Sequence, residues 1–280
     1  MAGAAGEFAG EVGACNTVHL NWTNSTPEAD QARYGLRFGD KGTHTSRTMM
    51  LSELADLFSD LGPEAGRDEV IAAVVEDNVL GKQTTSNRRL SLQRLSELYG
   101  LDPAIPIYRV LRRLWDADAA GRPVTALLCA LARDPLLRAT AGVILPMAPG
   151  SELSRSEMIH GLQVGTDGRL KESVLDKVAR NAGSSWTQSG HLTGRVRKVR
   201  RRVSPTVGPA AMAFWLGNVQ DLAGSDLLGS AWARVLDATQ PRLVDLALSA
   251  RQAGLIHAVA GGDVVEIDPR MLDSGREAAA

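Results

Sequence analysis

The sequence predicts a mainly α chain made of two helix-turn-helix or winged-helix-like units with a small C-terminal β-hairpin. Three observations carry that expectation. From Thr48 onward, apolar residues recur at three- and four-residue steps, the mark of helices with one buried face. Short polar turns cut these runs into small helices. Near the end, helical spacing gives way to Val264-Val265-Glu266-Ile267 after the turn Gly261-Gly262-Asp263, which reads as strand, turn, strand.

Taken in order, residues 1–33 are rich in Gly, Ala, Asn and Thr without periodicity and read as a flexible arm. Leu51, Leu54, Leu57, Phe58 and Leu61 define a first helix, stopped by Gly62-Pro63. Val70, Ile71, Val74 and Val75 define a second. A third follows the capping run Thr84-Thr85-Ser86 and carries Leu92, Leu95, Leu98 and Tyr99. Segments near 107–116 and 124–144 complete an N-terminal domain over 34–146. Pro146, Pro149 and Gly150 mark a boundary. The C-terminal domain, 147–270, opens with a helix over 170–182 whose Val174, Leu175 and Val178 face inward. Gly183-Ser184-Ser185 then reads as a turn and cap. Further helices are expected near 210–222, 227–236 and 241–253, then the hairpin, with 271–280 as a tail.

At 280 residues the chain can bury one large core or two ordinary ones, and 44% hydrophobic content is that of a globular protein. The net charge of −1 argues against a uniformly basic surface, so the placement of charge matters more than its sum. Two distant cysteines, Cys15 and Cys129, no CxxC and no secretory apolar run after Met1 point to a reducing cytoplasm. The sequons at Asn21 and Asn24 are then chance matches. The most apolar stretch, 124–145, is interrupted by Arg133, Asp134, Pro135 and Arg138, so no membrane segment is expected.

The charge is concentrated. Arg195, Arg197, Lys198, Arg200, Arg201 and Arg202 place six cations in eight residues, with no acid between Gly183 and Pro205. Leu192, Val196, Val199 and Val203 would line one side of a helix, while Gly190 and Gly194 favour a strand or wing. Either geometry suits backbone phosphates and salt-sensitive binding. Ser184, Ser185, Thr187, Gln188 and His191 precede that run and suit hydrogen bonds from the start of a recognition helix. Trp186 is expected to anchor the core. In the first unit, Asn87, Arg89, Gln93 and Arg94 lie opposite the apolar face with Arg88 at its shoulder, and these side chains match guanine and adenine edges. For each group the alternative is a solvated or turn-making role.

Enzyme signals are poor. The histidines are isolated, and no HExxH, Walker loop, GxGxxG or GxSxG occurs, so neither catalysis nor a cofactor is expected. Gly161–Gly168 is glycine-rich but lacks the Lys-Ser/Thr of a phosphate loop.

The stretch from Glu76 to Arg89 (EDNVLGKQTTSNRR), running into Leu92–Tyr99 (LQRLSELY), resembles the BrxA-type proteins of bacterial BREX phage-defence systems, and Ala126–Arg138 is similar to that family's next helix. The resemblance covers roughly residues 52–145. It implies a non-enzymatic DNA-binding protein with winged-helix-like units, working beside a BREX methyltransferase and ATPases, with Asn87, Arg88 and Arg89 facing DNA. The long N-terminal segment and the SSWTQSGHL block depart from it. Two other readings stay open: an assembly adaptor whose basic run docks an acidic protein or RNA, and a winged-helix transcriptional regulator.

Overall fold

The computed structural model describes residues 20–24, 26–262 and 264–273. The chain is mainly helical with a small antiparallel hairpin near its C-terminus, as expected. Its first half contains α1 (Glu28–Arg33), α2 (Leu51–Asp60), α3 (Arg67–Val75), α4 (Thr85–Tyr99), α5 (Pro106–Ala117), α6 (Arg122–Arg133), α7 (Pro135–Ala139) and α8 (Ala141–Ile144). Helix α2 buries Leu54, Leu57 and Phe58 on one side. Helix α4 starts where the Thr84 side chain accepts the Asn87 N–H at 3.2 Å, and stops at Gly100, whose φ of +88° a side chain would oppose.

The helical run expected over 124–144 breaks in three. Pro135 has no N–H to give the preceding turn, and Asp134 accepts the N–H groups of Leu136 and Leu137 to restart the chain as α7. The arginines around this break are interior groups. Arg133 donates to the carbonyls of Gly35, Ser96 and Glu97, and Arg138 to those of Arg37, Leu131 and Ala132. They add donors to carbonyls at the ends of α4 and α6 and to those of Gly35 and Arg37 in the connecting segment. Among the described residues no helix is long and apolar enough to cross a membrane.

The second half contains α9 (Arg155–Gly165), α10 (Glu172–Gln188), β1 (Leu192–Thr193), β2 (Val199–Arg200), α11 (Val207–Asn218), α12 (Asp226–Gly229), α13 (Ala231–Arg234), α14 (Gln240–Gln252), β3 (His257–Gly261) and β4 (Val264–Asp268). Strands β3 and β4 pair from His257↔Asp268 to Gly261↔Val264.

The turn and cap expected at Gly183-Ser184-Ser185 do not form, because α10 runs straight through them. The hydroxyls that suggested a cap instead bond one turn back: Ser184 to Arg180 O at 3.0 Å, Ser185 to Asn181 O at 3.0 Å and Thr187 to Gly183 O at 2.8 Å. Bonded that way, they no longer compete with the helix.

One hydrophobic core extends across the boundary expected at residue 146, joining α5 and α6 to α11 and α10 to α6 and α7. Trp186 is fully buried and donates its indole N–H to Thr140 at 2.8 Å. The arm expected over 1–33 is a seated segment where it is described. Leu20 is buried, Trp22 meets Trp232 edge-on at 4.8 Å, and Gln31 donates to the carbonyls of Thr23 and Thr26. Gln220 also donates to Trp22 O. Residues 1–19, with Cys15, lie outside the described residues, as do 274–280 of the expected tail. Leu272 is buried and Asp273 accepts from Arg109 at 2.7 Å.

Candidate nucleic-acid interface

The second unit is assembled from α7 and α8, then α9, α10 and the β1–β2 hairpin. The hairpin pairs Leu192 with Arg200 and Thr193 with Val199. Its second strand also meets the segment before α9, through an antiparallel bridge between Val199 and Glu152 and bonds from Leu153 N to Lys198 O (2.7 Å) and Arg200 N to Ser151 O (2.8 Å). The order is therefore edge segment, β2, β1, beside the helices α7 to α10, of which α10 is the last. A helix-turn-helix closed by a wing has this arrangement.

Helix α10 buries Leu175, Val178, Ala179, Ala182 and Trp186. At helical spacing the opposite side carries Ser173, Lys177, Arg180 and Ser184. Ser173, Lys177 and Arg180 are exposed. Lys177 has no hydrogen-bond or ion-pair partner among the described residues, and Arg180 makes only long contacts to Asp176. Arg155 bonds Asp176 at 2.7 Å and holds its carboxyl below the ordinary range, so this acid is already neutralised by a neighbour. The sequence-based reading missed this stripe. Its signal was present, because Lys177 and Arg180 fall opposite the inward Val174, Leu175 and Val178.

The basic run of 195–202 is neither a helix nor a single surface. Arg200 is only 2% exposed and grips Asp237 with both arms of its guanidinium, at 2.9 and 2.5 Å. It also donates to Ile144 O at 2.9 Å. Arg197 forks onto Glu152 Oε2 at 2.9 and 2.6 Å, an acid 45 residues upstream. Lys198 lies across Gly183 and donates to Thr187 at 3.1 Å. Arg195, Arg201 and Arg202 are exposed with no such partner among the described residues. Arg201, just past the end of β2, is exposed although its neighbour Arg200 is buried.

The polar candidates before the run are also corrected. Ser185 and His191 are fully buried, while Ser184, Thr187 and Gln188 are half-buried. Gln188 accepts Leu51 N–H and donates to Thr48, so it ties α10 to the start of α2. Ser185 accepts from Met49 N at 2.8 Å and stands 2.7 Å from His44 Nε2, whose Nδ1 lies 2.7 Å from Asp134. This serine–histidine–aspartate chain has the spacing of a nucleophilic triad. All three side chains are buried, and the serine oxygen already holds Met49 N–H and Asn181 O. Its work here is to pin α10 to residues 44–49. Burial raises the Asp134 carboxyl, but His44 and the N–H groups around it more than offset that and hold it below its ordinary value.

In the first unit α4 follows α2 and α3 as a third helix. Arg88, placed on DNA by the resemblance, turns inward and donates to the carbonyls of Val75, Glu76 and Lys82, closing the end of α3. Gln93 and Arg94 both bond Glu97, at 3.0 and 2.8 Å. Against the upward pull of partial burial, those bonds and one from Thr43 keep Glu97 low and charged. Asn87 and Arg89 stay exposed, and their side chains have no hydrogen-bond or ion-pair partner among the described residues. Asn87 shares a shallow cavity with Arg47 and Lys82. Arg89 faces a different one, about 540 Å³, with Arg37, Arg67 and Ile71.

His191 makes the junction pH-sensitive. Its Nε2 lies 2.7 Å from Val235 O and Nδ1 lies 2.9 Å from Ser189. Burial pushes the imidazole down from 6.5 to about 4, so the folded chain keeps it neutral where the unfolded chain protonates it. The stabilisation is complete above about pH 6.5 and is lost as pH falls toward 4. Unfolding free energy measured by urea should drop by about 2 kcal/mol between pH 7 and pH 5 through this residue. His191→Asn should remove that part of the dependence. An unchanged pH profile in the variant would contradict the assignment.

Among the described residues no cluster of three or more His, Cys, Asp or Glu is placed to hold a metal ion. Cys129 is buried, and burial pushes its thiol up to about 12. No protein-family model matches the chain, and no curated protein matches it.

Proposed function

We propose that this chain is a non-enzymatic double-stranded DNA-binding protein that lays α10 along a major groove, with the β1–β2 hairpin as a wing beside it. The observation that carries the reading is the stripe Ser173–Lys177–Arg180–Ser184. It lies on the solvent side of α10, the last helix before the hairpin, with Lys198 and Arg195 on that adjoining hairpin. Lys177 and Arg195 suit phosphate contacts, while Arg180, on the outer side of α10, can serve either a phosphate or a guanine edge. Asn87 and Arg89 on α4 supply a second, smaller contact. With the resemblance in its first half, the role we assign is that of a cytoplasmic DNA-binding component of a BREX-type phage-defence system, beside a methyltransferase and ATPases.

One observation favours a second reading, an adaptor for an acidic protein. The cavity lined by Arg37, Arg67, Arg89 and Arg133 also presents apolar Val70, Ile71 and Leu92, although Glu97 and Asp102 share its lining. A gel shift with a duplex, competed by RNA of the same sequence and by polyglutamate, separates the two. Duplex binding at about 50 mM salt should weaken by roughly a thousandfold or more at about 200 mM if six or more phosphates are contacted. It should also resist equal concentrations of RNA or polyglutamate. Absence of duplex binding at the lower salt, or preferential loss to polyglutamate, would overturn the DNA reading.

A further inference from the structure

Phosphate binding accounts for cations, but not for what stands between them at the tip of the β1–β2 hairpin. Val196 is 89% exposed, the most exposed large apolar side chain among the described residues. It lies between Arg195, exposed and without a partner among the described residues, and Arg197, whose fork is occupied by Glu152. The tip therefore presents one free guanidinium and one apolar group, with the second guanidinium drawn back toward the edge segment.

The base of this hairpin is pinned on several sides. Gly194 turns the chain at φ +99°, where a Cβ would collide with the Arg197 carbonyl, so the tight turn depends on glycine. Below it, Arg200 locks the second strand to Asp237, Arg201 N donates to His191 O at 2.8 Å, and Lys198 crosses to Thr187 on α10. Val196 is two residues from Lys198, so its Cα is at most about 7 Å from that anchor. The hairpin is thereby tied to the C-terminal end of α10, at Gly183 and Thr187, next to the end of the stripe at Ser184.

The geometry points to Arg195 and Val196 as a minor-groove reader that favours narrow, A·T-rich DNA. This inference rests on the DNA reading above and extends it to specificity. A duplex holding α10 in its major groove offers the adjoining backbone and minor groove to the hairpin, and a minor groove about 6 Å wide admits a two-residue tip but not a helix. Narrow A·T tracts concentrate negative potential, which favours a weakly hydrated guanidinium over an ammonium. An apolar tip gains nothing from a phosphate. It gains by leaving water between sugar walls or against a base step. Glu152 prevents Arg197 from competing for the same space.

The test measures affinity by fluorescence anisotropy for two duplexes of equal length at one salt concentration, one with a central A·T tract and one of G·C pairs only. The native chain should prefer the A·T duplex by about tenfold. Arg195→Lys keeps the charge, so its affinity for the G·C duplex should stay within about twofold while most of the preference disappears. Val196→Thr keeps the shape and should reduce the preference severalfold. Equal affinity of the native chain for both duplexes, or an undiminished preference in Arg195→Lys, would overturn the inference and leave the DNA reading standing. Binding to neither duplex would overturn both.

Discussion

Arg200→Ala is expected to lower the stability of the chain by about 3–5 kcal/mol, although Arg200 belongs to a run that reads as a solvent-facing phosphate track. The guanidinium is buried against Asp237, which in turn accepts Val203 N–H at 3.1 Å. Removing the arginine leaves a carboxylate in the interior without its counter-ion, and takes one of two donors from the Ile144 carbonyl. Removal of one partner of a buried pair is far more damaging than the net worth of the pair, because the survivor retains its desolvation cost. The melting temperature should fall by about 10 °C. Arg201→Ala, one residue on and exposed, should change stability by no more than about 0.5 kcal/mol. Replacing both partners, Arg200→Met with Asp237→Leu, should recover most of the loss. Equal, small effects of Arg200→Ala and Arg201→Ala would show that the side chain is solvated after all.

Lys177→Ala combined with Arg180→Ala is expected to weaken duplex binding by on the order of 100-fold at low salt, with little change in stability. Both residues project from the outer side of α10, and neither shares a hydrogen bond with another element. The cost therefore falls on the complex and not on the fold. Gln93→Ala or Arg94→Ala should do much less, because Glu97 already occupies those side chains. Circular dichroism of the double variant serves as the control. Native affinity in a folded double variant would remove α10 from the interface.

Much of the fold was legible because helices are local. The apolar spacing of Leu51–Phe58, Val70–Val74 and Leu92–Tyr99 repeats within one turn, so α2, α3 and α4 follow from short windows of sequence. The closing hairpin was legible for the same reason, from a glycine-rich turn beside a β-branched run. What was not legible depends on distant partners. Nothing near Trp22 or Gln31 announces Trp232 or Gln220, about 200 residues away, so a seated segment reads as an arm. Nothing near Arg200 announces Asp237, so an interior ion pair reads as surface charge.

The site shows a further kind of ambiguity. Gly183, Ser184 and Ser185 are turn and capping residue types, yet serine hydroxyls can also bond back along a helix, and here they do. That choice moves the candidate DNA-contacting helix upstream, so its outward side is Ser173–Ser184 and not a segment after residue 185. The stripe of Lys177 and Arg180 could have been read from the complement of Val174, Leu175 and Val178. A denser cluster of cations nearby, three of them bound to the protein itself, drew attention away from it.

The central claim is that α10 binds DNA through its unpaired cations. The salt dependence of duplex affinity, compared between the native chain and Lys177→Ala with Arg180→Ala, tests it most directly. Each lost phosphate contact lowers the slope of log affinity against log salt by roughly 0.9, so the variant's line should be shallower by about 2. Parallel lines, or no duplex binding by the native chain at about 50 mM salt, would contradict it.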